Sequence, residues 1–183
     1  RVQGGVTYLA ESQKELDRYE AWLPHARANG VDSRMLSRDE IAQMIPESRK
    51  SWMGALHTAS DMRAEPWKAV PALARVAARE GVQIIENCAA RMLDIEAGRV
   101  TGLFTEQGRI ATPEVVVAGG AWSSLFLRRH GVKIPQLSVR ATVAAVDAKP
   151  MAYQGGATDD TLAWRARPDG GYSLAGGGFH ELY

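Results

Sequence analysis

The strongest constraint on the fold lies at residues 114–124, where Glu114-Val115-Val116-Val117-Ala118 runs into Gly119-Gly120-Ala121-Trp122-Ser123-Ser124. A continuous apolar run ended by glycines and followed by serines predicts a strand buried on both faces, a tight turn and a helix start. Two adjacent glycines also let a ligand approach the main chain with no Cβ in the way. The helix start beyond them offers N–H groups and partial positive charge to an anion such as a cofactor pyrophosphate. A purely structural turn satisfies the same pattern, and both readings stand at this point.

The segments before it carry local signals. Residues 4–9 read as a short strand, and Ser12 with Glu15 forms a capping box that opens a helix with Leu16, Tyr19, Leu23 and Ala26 on its buried stripe. Gly30 ends that helix, because glycine takes the left-handed conformation without a Cβ clash. A second capping box, Ser37 with Glu40, starts a short helix that buries Ile41, Met44 and Ile45 and stops at Pro46. A strand is expected over 52–58, then a helix from Pro66 to about Glu80 with Trp67, Val70, Leu73, Val76 and Ala77 on one face and Pro71 disturbing its first turns. Gly81 caps it, and Val82-Gln83-Ile84-Ile85 reads as a buried strand. Residues 89–110, broken at Ala97-Gly98 and Gln107-Gly108, predict an antiparallel meander. Val139, Ala141, Val143 and Ala145 alternate as a half-buried strand, and Pro168-Asp169-Gly170 between two strand-like runs predicts a hairpin.

Composition excludes several classes of function. With 22 basic against 21 acidic residues the net charge is +1, so no overall field points to nucleic acid, an anionic membrane or a polyanionic substrate. The hydrophobic share of 45% suffices for a core, yet no run is long enough to span a membrane. The lone Cys88 has no intramolecular disulfide partner, and no secretory leader pattern opens the chain, so the cytoplasm is the expected location. Both ends read as cuts within a longer protein.

No Gly-x-Gly-x-x-Gly, Walker loop, metal-ligand spacing or Ser/His/Asp set is present, so no metal site is expected and no catalytic acid or base is named. Gly176-Gly177-Gly178 reads as a strand end, Trp22 and Trp67 as core, and Arg128-Arg129-His130 as charge near a helix C-terminus. In the run Ala163-Trp164-Arg165, Trp164 points to one face, and Ala163 and Arg165 to the other.

Taken together, the motifs resemble the D-amino-acid oxidase family of flavoenzymes, which includes glycine oxidases, sarcosine oxidases and D-amino-acid dehydrogenases. The stretch VVVAGGAWSS at 115–124 is similar to the family's strand-and-turn signature. Gly54-Ala55-Leu56-His57 through Asp61, Pro66 and a helix ending at Gly81 resembles the passage before it. Residues 1–46 look like the start of the substrate domain, and 162–176 like the aromatic-Arg-Pro-x-x-Gly hairpin. The resemblance implies an α+β fold. Residues 1–53 and 138–183 would form a mixed or antiparallel substrate-domain sheet with helices. Residues 54–137 would be an interrupting part of the FAD-binding domain, made of β-meander, helix and buried strand. The N-terminal Rossmann βαβ unit would lie before Arg1, and the carboxylate-clamping arginine and the closing flavin segment after Tyr183.

It further implies that Ala118, Gly119, Gly120 and Trp122 lie against FAD, with Ala90 near its adenine half. His57, Ala163 and Arg165 would line the substrate site. A small Ala163 would leave room for more than glycine or sarcosine, and Arg165 would attract an acidic group. The implied reaction oxidises the C–N bond of a D-amino acid, glycine or N-methyl amino acid, with hydride passing to FAD and electrons on to oxygen or a carrier. The stretch alone is expected neither to retain FAD nor to be active. A carrier-linked dehydrogenase of the same fold and a non-catalytic α+β binding module are the alternatives.

Overall fold

The structure is a computed structural model that describes residues 2–147, 152–177 and 181–182. Two compact units emerge, the first made of Arg1–Ala69 and Ala141–Glu181, the second chiefly of Val70–Arg140.

The first unit is built on a seven-stranded sheet. Its strands are β1 (Val6–Ala10), β2 (Ser33–Ser37), β3 (Gly54–Thr58), β4 (Val143–Val146), β5 (Gly156–Thr158), β6 (Leu162–Ala166) and β7 (Tyr172–Gly176). In space they run β4-β7-β6-β5-β1-β3-β2. All neighbours are antiparallel except β5 and β1, which pair parallel, Gly156 beside Val6 and Thr158 beside Tyr8. The sheet is thus mixed, and with its helices gives the expected α+β class.

Helix α1 (Gln13–Ala28) starts at Ser12, whose hydroxyl accepts from the Glu15 N–H while the Glu15 carboxylate accepts from the Ser12 N–H. Gly30 ends it at φ +69°. Helix α2 (Arg38–Met44) repeats the device with Ser37 and Glu40, and the Glu40 carboxyl is held down at about 2 by the Ser37 N–H and by Arg34. Strand alternation gives the sheet one face packed beneath α2. There Leu9, Leu36, Ile41, Ile45, Trp52, Ala55, Tyr153 and Ala157 form the core. A polar clamp closes its rim: the Asp159 carboxylate accepts from Lys50 (2.9 Å), the Trp52 indole (3.1 Å) and the Leu162 N–H (3.0 Å). Burial would raise that carboxyl, but Lys50, the hydroxyl and N–H of Thr161, and the Trp52 indole outweigh it and hold it well below the usual range.

The parallel junction depends on glycine. A Cβ on Gly155 would stand 2.2 Å from both the Gly4 carbonyl oxygen and the Tyr153 hydroxyl, so the two chain segments meet only because no side chain intervenes.

The second unit holds most of helix α3 (Pro66–Arg79), the meander of Ala90–Glu96, Arg99–Thr105 and Gly108–Ala111, and helix α4 (Ser123–Arg128). Pro71 lies inside α3, as the sequence predicts. Two expectations are corrected here. Residues 82–85 and 114–118 are not strands, and Ile84, Ile85 and Val116 are 49%, 52% and 91% exposed. The reason is physical: an extended run becomes a strand only beside a partner that takes its N–H and C=O groups, and among the described residues neither run has one. The first unit runs to Ala69, and Gly54–Thr58 lies within its sheet, hydrogen-bonded between β1 and β2. Trp22 and Trp67, read as core, are 46% and 78% exposed.

Gly155→Ala is expected to cost about 3 kcal/mol, as overpacking against backbone does, whereas Gly30→Ala, with open space around it, costs about 1 kcal/mol for its left-handed backbone alone. Denaturant unfolding of the two variants checks the difference.

Candidate functional site

Residues paired across neighbouring strands point to the same side of a sheet, so the registers sort the predicted site residues. Tyr8, Thr158, Ala163, Ala175 and Val143 form one row across the sheet, and Val6, Gly156, Arg165, Ser173 and Ala145 the next, on one face. Helix α1 covers one end of this face, with Tyr19 against Tyr8 (ring centroids 6.4 Å apart) and Leu16 over Gly54. The other end has a floor of small side chains. It carries a cavity of about 350 Å3 lined by Ala163, Arg165, Ser173 and Ala175, and a neighbouring one of about 490 Å3 that shares Arg165 and also touches Glu65. Ala163 and Arg165 are therefore brought together on one face.

His57 is not with them. It pairs with Thr7, which pairs with Ala157, which pairs with Trp164, so its side chain lies on the opposite, core-packed face. Its Nδ1 is 2.9 Å from the Thr7 hydroxyl, which is 3.0 Å from the Tyr153 hydroxyl, and that hydroxyl donates to the Gly156 carbonyl at 3.0 Å. Burial pushes the imidazole below its ordinary value, with Arg34 adding to the effect, and the same burial raises the Tyr153 phenol. The assembly is a buttress under the β1–β5 junction. A tyrosine 146 residues from its threonine partner leaves no trace in local sequence.

Arg165 is also not free to attract an acidic group. Its two guanidinium nitrogens donate to both oxygens of Glu65 at 2.6 and 3.2 Å, and Arg165 holds the Glu65 carboxyl below its usual range. Sequence reading missed Glu65 because 100 positions separate the pair.

The residues expected to touch a cofactor all lie in the second unit. Gly119 and Gly120 form a turn at φ −81° and +54°, closed by the Trp122 N–H donating to the Gly119 carbonyl at 3.1 Å. The turn is open: Ala118 to Trp122 are exposed, and a Cβ placed on Gly120 meets nothing within 4 Å. Gln136 clamps it, its amide donating to the Gly120 carbonyl (2.8 Å) and accepting from the Ser124 N–H (3.0 Å). Nothing near the turn in sequence signals this clamp. Ala90 opens the first meander strand, exposed and next to a bulge. Bare, accessible main chain of this kind fits a flavin nucleotide. Among the described residues no three His, Cys, Asp or Glu side chains cluster as metal ligands, and no helix is long and apolar enough to cross a membrane.

Over its whole length, residues 1–183, the sequence matches the DAO family of FAD dependent oxidoreductases. The chain belongs to this family. Among family relatives, it is 33% identical over 144 residues to the mitochondrial sarcosine dehydrogenase of Homo sapiens, covering 75% of the chain and 16% of that protein. It is 31% identical over 153 residues to the D-amino acid dehydrogenase of Rhizobium rhizogenes, covering 80% and 36%. In structure it is similar to the L-amino acid deaminase of Proteus myxofaciens in complex with anthranilate (TM-score 0.86, 29% identity, 95% of the chain and 40% of that one). It shares the fold of the L-proline dehydrogenase of P. horikoshii (TM-score 0.90, 21% identity, 98% and 50%). The chain thus spans half or less of each of these proteins.

Because the folded chain resists protonating His57, the unfolded chain binds the proton first as pH falls past the ordinary value of 6.5. The stability that neutral His57 contributes is complete above that pH and is lost as pH falls toward its depressed folded value. The melting temperature followed from about pH 8 to about pH 5 is expected to fall less steeply in His57→Gln than in the parent.

Proposed function

We propose that the intact protein is a flavin-dependent oxidoreductase that oxidises the C–N bond of an amino acid, with D-amino acids, glycine and N-methyl amino acids as the substrate class. The observation that carries this reading is the exposed Gly119–Gly120 turn, where a Cβ on Gly120 would meet nothing within 4 Å. Ala118, Gly119, Gly120 and Trp122 would hold FAD, with Ala90 toward its adenine half. When bound, FAD supplies a two-electron acceptor for the substrate's α-hydrogen, leaving an imine that water hydrolyses. The protein's part is orientation and exclusion of water. The sheet face bearing Ala163 presents the substrate pocket, and its small side chains set the size of what enters. By this division, residues 70–140 act as the flavin-binding part and the sheet unit as the substrate-binding part.

The acceptor of the electrons has a second reading. Two of the relatives are named dehydrogenases, which supports transfer to a carrier over transfer to oxygen. Substrate-dependent bleaching of a redox dye with little peroxide formed in air is the outcome expected for a carrier-linked enzyme.

Two variants of the intact protein test the assignment. Gly120→Val puts a branched side chain at a φ of +54°, so purified protein is expected to lose most of its flavin absorbance near 450 nm, about tenfold in FAD affinity. Full FAD occupancy in a folded Gly120→Val would remove the turn from the cofactor site. Ala163→Phe fills the pocket floor and is expected to lower kcat/KM for amino acids with long side chains about tenfold or more while sparing glycine. An equal loss for both would show that Ala163 does not size the pocket.

A further inference from the structure

Arg165 raises a question of specificity. It is the sole charged side chain among the described residues lining the cavity over the small-residue floor. Its side chain is about two-thirds buried, 31% exposed, and that of its partner Glu65 is more buried still at 12% exposed. The pair is bidentate, so the planar fork that would suit a substrate carboxylate already holds an internal one. Glu65 is well anchored for this role: it immediately precedes Pro66 at the start of α3, and its carbonyl accepts from the Lys68 and Ala69 N–H groups at 3.0 and 2.8 Å. The other charged groups at the adjoining cavity are Lys68, Arg167 and Asp169, and Arg167 is paired with Asp169.

We propose that Glu65 is a specificity-determining residue: by occupying Arg165, the one charged residue described in the Ala163 cavity, it cancels that cavity's charge and turns away amino acids whose side chains end in a carboxylate. The inference rests on the reading of this face as the substrate site. An acidic side chain arriving there meets the Glu65 carboxylate, and binding to Arg165 requires pushing Glu65 off, which leaves a mostly buried carboxylate without its counter-charge. A neutral side chain of the same shape meets neither cost. The device is a built-in occupant that cancels a cation, so deleting the occupant's charge adds a capability.

The test compares glutamate with glutamine of the same configuration as substrates of the intact, FAD-loaded protein. The parent is expected to favour glutamine in kcat/KM by about tenfold or more, and Glu65→Gln to raise the glutamate-to-glutamine ratio by at least about tenfold, a gain that Arg165→Met removes when added. A parent that uses both equally well overturns the proposal, whether or not any variant folds. A cooperatively melting Glu65→Gln with an unchanged ratio overturns it too. Thermal melting with glutarate supplies a readout that needs no turnover: glutarate should raise the melting temperature of Glu65→Gln and leave the parent unmoved. If no amino acid is oxidised by any form while glutarate still discriminates between them, the oxidoreductase reading fails and the masking of Arg165 by Glu65 stands. If glutarate stabilises both alike, the masking fails whatever the enzyme oxidises.

Discussion

The parallel pairing of Val6–Ala10 with Gly156–Thr158 is the contact on which the first unit depends. Without it the sheet is two separate pieces, β2-β3-β1 and β5-β6-β7-β4, each with a bare edge. With it, residues about 150 positions apart in sequence become neighbours, and the rows from Tyr8 to Val143 and from Val6 to Ala145 run unbroken across the face. The chain meets the geometric demand with glycines, since Gly155 has no space for a Cβ and Gly5, at φ +71°, packs against the His57 ring. The polar series His57, Thr7 and Tyr153 then props the junction from beneath, ending on the Gly156 carbonyl. A buried hydroxyl such as that of Thr7, fully inaccessible to water, is tolerable only because both its neighbours bond to it.

What the sequence made legible follows from the range of each interaction. The two capping boxes, the Gly30 stop, the meander turns and the Asp169-Gly170 hairpin each rest on residues within a few positions of one another, and each is found as expected. The apolar runs at 82–85 and 114–118 carry a strand's composition, but becoming strands requires neighbours the described residues do not provide, and they stay outside any sheet, with Ile84, Ile85 and Val116 exposed. The amphipathic face of α3 shows the same thing for a helix: its period is right, and Val70, Leu73 and Val76 are 63%, 69% and 54% exposed. Periodicity says which face wants burial. It does not say what buries it.

For the candidate site the division is similar. That Ala163 and Arg165 share a side and Trp164 takes the other is pure strand alternation, readable from three letters. That His57 belongs with Trp164 and not with Ala163 is a matter of register across three strand pairs, and one residue of slip would reverse it. The Glu65–Arg165 pair lies furthest out of reach, joining the start of a helix to a strand 100 positions further on. Without Glu65, Arg165 reads as an anion receptor. With it, the same guanidinium is part of the wall.

The two faces of this one sheet differ because alternation lets a short strand serve two purposes. In β5 and β6 the core-side residues are Ala157, Leu162, Trp164 and Ala166, while Gly156, Thr158, Ala163 and Arg165 look the other way. Bulk placed on the core side, as in Trp164 packed at a tilt against Trp52 with ring centroids 6.2 Å apart, holds the strands in place. Small residues on the other side then keep their space open without weakening the fold, since the packing that holds the strands lies behind them. A pocket floored in this way can change its preference through single side chains such as Ala163, and its charge through a residue outside the sheet such as Glu65. With the open face as the proposed substrate site, stability and selectivity fall to opposite sides of the same backbone, because the packing that holds the strands lies behind that face.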